Sequence, residues 1–205
     1  MSEIARTLAL EGFPLDRTLC QSTSRFGGMN PFLQQILVDV TGISSLLNRK
    51  NIDFRLDSDM LQEIIVSVGY RLVHFHSLCE PPLENRLESV CHIGLTAFMT
   101  TMFLQFGRRR YLKYGLVAQC ARKIIEEGLD EGDGDVMLWL LFVGGISVLD
   151  GVGQTWLASK IRRVAKTLGI SDWDALHRCL VKFPWIDSVH DEAGKMLWES
   201  VGGEI

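Results

Sequence analysis

Apolar residues recur along this chain at intervals of three and four, and no stretch sustains the period-two alternation of a half-buried strand. The pattern predicts helices separated by glycine, proline and acidic turns. Asn30-Pro31 is a helix start, with Asn as the cap and Pro at a position that needs no N–H. Leu33, Ile36, Leu37 and Val40 follow at core spacing, and the helix fades at Asn48-Arg49-Lys50-Asn51. Asp57-Ser58-Asp59 caps a second helix through Leu61, Ile64, Ile65, Val68 and Leu72. There Val66, Tyr70 and Val73 add a second apolar stripe and predict cover on two sides. Pro81-Pro82 ends that helix and opens a third, over 83–106, closed by Gly107. A fourth spans 111–127 with Leu116, Cys120, Ile124 and Ile125 inward and Gly128 as its stop.

Residues 135–150, DVMLWLLFVGGISVLD, break the amphipathic pattern. Between the two aspartates every residue is apolar, glycine or serine, so this helix must be covered on nearly all sides. Three helices follow it. The first carries Leu157, Ile161, Val164 and Leu168 and ends at Gly169. The second starts near Ser171-Asp172-Trp173-Asp174, close to a capping box, and stops at Pro184. The last is capped by Ser188 to Asp191 and runs through Val201. The expected fold is all-α, a single domain of about eight helices packed around a buried apolar central helix. Residues 1–29 form a loosely structured lead-in, and residues 30–205 the helical domain.

A chain of 205 residues buries a sizeable core, and a net charge of −4 gives no overall attraction for nucleic acid or an anionic membrane. Two uncharged stretches bear on membrane insertion. The first, 89–107, contains His92, Thr96, Thr100, Thr101 and Gln105, a poor lipid-facing set. The second, 136–149, would be about 21 Å long as a helix, short of a hydrocarbon core of roughly 30 Å. Buried core helices are expected for both. Cys20, Cys79, Cys91, Cys120 and Cys179 are scattered singly, and no signal peptide precedes them, which predicts thiols in a reducing compartment.

Candidate chemistry is sparse. In His74-x-His76-x-x-Cys79 the two histidines diverge by about 200° on a helix and cannot chelate together. Asp187-x-x-His190-Asp191 places acid beside imidazole, but no nucleophile elbow accompanies it, and capping accounts for Ser188 and Asp191. Gly144-Gly145 and Gly151-x-Gly153 have neither the preceding strand nor the Gly-Lys-Ser/Thr of a phosphate loop. Each mid-helix glycine costs about 1 kcal/mol relative to alanine, so the pair marks a close helix contact or a pocket wall. Trp139 and Trp185 have the same two readings, packing or pocket wall. Lys160, Arg162, Arg163 and Lys166 form a basic face opposite Leu157, suited to phosphate or an acidic partner, or simply a solvated helix face. Arg108-Arg109-Arg110 follows a helix end, where basic residues offset the helix dipole. These residues offer no catalytic set, no complete metal site and no DNA-binding element.

Several strings, in order along residues 30–198, carry a resemblance. They are FLQQILVD (32–39), QEIIVSVGYRL (62–72), GLTAFMTT (94–101), LWLLFVGGI (138–146) and FPWIDSVHD (183–191). Together they resemble the C-terminal part of the fungal-specific transcription factor domain, the regulatory region behind binuclear zinc-cluster DNA-binding modules. The resemblance implies a nuclear, all-helical and non-catalytic domain whose activity is tuned by protein partners or a small-molecule effector. The family's six-cysteine cluster and coiled-coil linker do not occur in these residues. Zinc is therefore implied only for that missing module, and DNA contact only indirectly. Such a chain is expected as a truncated gene product or a stand-alone regulatory domain. The competing expectations are a helical scaffold protein in the cytoplasm and, behind it, a membrane-associated helical protein.

Overall fold

The computed structural model describes residues 4, 6, 24–49, 58–81, 83–104, 114–129, 132–149 and 154–202. From residue 24 onward these form eight α-helices and a short 3-10 turn (Ser24–Gly28), and no strand occurs among the described residues. The helices are α1 (Pro31–Leu47), α2 (Ser58–Phe75), α3 (Arg86–Leu104), α4 (Gly115–Glu127), α5 (Gly134–Ser147), α6 (Thr155–Thr167), α7 (Trp173–Leu180) and α8 (Asp187–Ser200). The Asp57 cap, the helix end at Gly107, the basic triplet 108–110, the start at Tyr111, Gly151-x-Gly153 and Cys20 lie outside the described residues.

Helix α5 packs against α3, α4, α6, α7 and α8, and its residues from Val136 to Gly145 are all buried. Helix α3 is the second hub, meeting α1, α2, α4 and α5. Their mutual approach rests on Gly94 of α3. A Cβ there would lie 2.3 Å from Cζ3 of the Trp139 ring on α5. The ring is itself fixed, donating from Nε1 to the Pro184 carbonyl at 2.9 Å and stacking on Phe183 at 5.5 Å. The polar residues of α3 stay satisfied inside this core. The hydroxyls of Thr96, Thr100 and Thr101 donate to carbonyls of their own helix at 2.6–2.8 Å. Packing also begins before Asn30: Phe26 and Met29 are buried, although the sequence places them in the lead-in.

Helix boundaries follow local chemistry, with shifts of a few residues. Asn30 accepts from the Phe32 N–H as expected. Helix α3 starts at Arg86 rather than beside Pro81-Pro82, because the Asn85 side chain accepts from the N–H groups of Leu87 and Glu88. The cap of α7 is Asp172, one residue beyond Ser171, accepting from Ala175 N–H at 2.7 Å. Four apolar positions expected inside face out. On α2, Val66, Tyr70 and Val73 are 57%, 71% and 73% exposed. The neighbours of α2, namely α1 and α3, are both served by its Ile64, Ile65, Val68 and Leu72 face, so the second stripe is left uncovered. On α4, Val117, Ala121, Ile124 and Ile125 turn inward, which carries Leu116 round to the surface.

Candidate functional site

Three helices that diverge leave a space where their side chains no longer meet. Between α2, α3 and α4 a cavity of about 360 Å³ is lined chiefly by Leu72, Val73, Leu78, Met99, Leu116 and Val117. A smaller space of about 120 Å³ adjoins it beneath the connection from α2 to α3, and His76, Ser77, Leu78 and His92 line both. The larger volume is that of a small-ligand pocket, for which about 300–1,000 Å³ is usual.

Several of the polar groups in its wall are already engaged. Thr96 and Thr100 spend their hydroxyl protons on His92 and Ala97 carbonyls. His92 Nε2 lies 3.1 Å from the Leu72 carbonyl oxygen, so its proton sits on that nitrogen. Burial, the largest cause, holds the His92 pKa below its ordinary value, and the nearby His76 acts in the same direction. The Cys120 thiol is 3.8 Å from the Leu78 carbonyl, and burial pushes its pKa up. A wall with committed donors and large apolar side chains favours an apolar ligand over a charged one.

The residues singled out in the sequence do not converge on this cavity. Trp139 and Trp185 are buried, and Trp185 Nε1 donates to Asp191 Oδ1 at 2.9 Å. A Cβ at Gly145 would sit 2.7 Å from Leu197 Cδ2 and 3.2 Å from Leu157 Cδ2, so α6 and α8 close on α5 there. At Gly144 it would meet only the Leu149 tip, at 3.1 Å. Within the basic face, Arg162 donates to the Val201 carbonyl at the end of α8, and Lys160 to the Ile125 carbonyl at 3.3 Å. Arg163 and Lys166 are exposed, and none of the four forms an ion pair among the described residues. His74 stacks on Tyr70, while His76, beyond the end of α2, lies 3.4 Å from Glu80. Cys79, Cys91, Cys120 and Cys179 are thiols.

The Asp187-x-x-His190-Asp191 string is built differently from its sequence reading. His190 is fully buried, its ring tilted against those of Phe98 and Trp185. Its Nδ1 accepts the Ile186 N–H at 2.8 Å, which fixes the proton on Nε2. Nε2 then donates to Thr101 Oγ1 at 2.8 Å, and Thr101 donates onward to the Phe98 carbonyl. Burial is the main reason its pKa falls to about 4. The start of α8 is therefore satisfied by the His190 ring and by Asn48 Oδ1, which accepts from Asp187 N–H at 2.9 Å, rather than by Ser188 and Asp191. Asp187 and Asp191, one turn apart, point instead to His177 at the end of α7. The cavity and the α7–α8 junction were hidden from sequence reasoning because both depend on which helix faces meet. The spacing of Asp187 and Asp191 on one helical face is the one signal available beforehand. Comparison of the chain with protein-family models, with curated proteins and with solved structures finds no match.

Proposed function

We propose that this chain is a non-catalytic regulatory domain of a fungal transcription regulator whose output is set by a small apolar effector seated between α2, α3 and α4. The cavity carries the reading. It is large enough for a small ligand, its wall is mostly apolar, and His92, Thr96 and Thr100 in that wall are committed to backbone partners. The ordered resemblance of residues 30–198 to the regulatory domain supports the same role. A ligand there would touch three helices at once and favour the conformations in which they stay packed, by as much as its differential affinity for them. Among the described residues no helix is long and apolar enough to cross a membrane.

The test joins binding to output. The neutral fluorophore N-phenyl-1-naphthylamine should bind the purified chain saturably, and Thr96→Leu, which fills the cavity without removing a tertiary hydrogen bond, should weaken that binding at least tenfold. Fused to a heterologous DNA-binding module, the chain should alter reporter output, and Thr96→Leu should change that effect. Output equal to that of the module alone, or probe binding indifferent to Thr96→Leu, overturns the proposal.

A further inference from the structure

The junction of α7 and α8 gathers three metal-ligating side chains away from the cavity. The chain turns from Val181 through Pro184 and brings His177, in the last turn of α7, over Asp187 and Asp191, which share a face at the start of α8. His177 Nε2 is 3.4 Å from Asp187 Oδ1 and 3.3 Å from Asp191 Oδ1, and one ligand atom from each of the three residues lies within 4.8 Å of the other two. A charge-assisted N–H···O bond would close to about 2.7–2.9 Å. Zinc bonds of about 2.0–2.2 Å to nitrogen and oxygen instead hold tetrahedral ligand atoms roughly 3.3–3.6 Å apart. His177 Nε2 and Asp187 Oδ1 are both shielded from solvent, and neither has a hydrogen-bond partner. A cation at the common point of these two unpartnered atoms satisfies both, together with Asp191.

The surroundings hold these ligands in place. Trp185 Nε1–H donates to Asp191 Oδ1 at 2.9 Å, leaving that oxygen a second lone pair. Asn48 bridges the Trp185 carbonyl and the Asp187 N–H at 2.8 and 2.9 Å. The His177 ring leans on Trp173, with centroids 5.9 Å apart. Such outer contacts orient metal ligands and tune their affinity. The side chains of His177, Asp187 and Asp191 remain 27%, 34% and 29% exposed, which places the cluster near the surface of the α7–α8 junction. We propose that His177, Asp187 and Asp191 form a site for a divalent zinc-class cation that staples α7 to α8. One imidazole with two carboxylates suits zinc better than calcium or magnesium, which favour all-oxygen shells. This inference is independent of the effector cavity.

Zinc chloride titrated calorimetrically into the EDTA-stripped, desalted full chain should bind one ion per chain. Cobalt in its place should give the visible bands of a four-coordinate site without thiolate charge transfer in the near ultraviolet. His177→Gln and Asp187→Asn should each weaken zinc at least tenfold, whereas Cys79→Ser should leave it unchanged. Far-ultraviolet circular dichroism establishes that each variant is folded. If His177→Gln does not fold, the nearly isosteric Asp187→Asn carries the comparison. Equal zinc affinity in the wild type and in the folded ligand variants, or thiolate charge transfer with cobalt, overturns the assignment.

Discussion

With Nδ1 accepting from Ile186 and Nε2–H donating to Thr101, a second proton on His190 must displace the Ile186 N–H from the ring nitrogen that accepts it. The ring is buried between Phe98 and Trp185, so the charged form is also poorly solvated, and its pKa falls to about 4 from 6.5. The unfolded chain thus binds more protons than the folded one between these values. Stability is fully retained above pH 6.5 and is lost as the pH falls toward 4, by roughly 3 kcal/mol for this group. His92, whose pKa is also lowered by burial, acts in the same direction. Urea unfolding at pH 7.5 and pH 4.5 in the presence of EDTA should show the loss. His190→Gln, less stable throughout, should lose distinctly less between the two pH values. An equal loss in both proteins would remove His190 as its source.

At the scale of elements, the end of α1 is joined to the start of α8 by one side chain. Asn48 donates to the Trp185 carbonyl and accepts from the Asp187 N–H, across more than 130 residues of sequence. Asn48→Ala should cost about 2 kcal/mol, because two partly buried backbone groups lose their partners. A change below about 0.5 kcal/mol in urea unfolding would mean that water replaces both bonds. Neighbouring elements show how far local chemistry reaches. The Asn30-Pro31 start was legible because a cap acts only on its own first turn. The start of α8 was not, since its amides are served by a ring one turn along and by a residue on another helix.

Across the molecule, α3 and α5 form the central contact, and its closeness depends on Gly94. Gly94→Ala gains about 1 kcal/mol in helix propensity but drives a Cβ into the buried Trp139 ring, which has no open space to enter. We expect a net loss of about 2 kcal/mol and a lower thermal midpoint. Gly144→Ala meets only the flexible Leu149 tip and should stay within about 1 kcal/mol of the wild type. Calorimetric melting of the two variants decides this, and equal midpoints would sink the argument. The same hub places the cavity. While α3 closes on α5 over Gly94, the space between its other face and α2 and α4 is left unfilled.

The sequence by itself determined the helical class, the near-complete burial of α5 and most helix positions, because periodicity, caps and breakers act within one or two turns. It singled out Gly94 only within a family-like string, and it read Val66, Tyr70, Val73 and Leu116 as inward. Periodicity identifies an apolar face without saying whether a neighbour covers it. Tertiary structure alone decided that Gly94 seats Trp139, that His190 is a buried structural base, and that His177 meets Asp187 and Asp191. Each of these depends on distances between helices, set by the packing of many side chains at once, to which no single stretch of sequence has access.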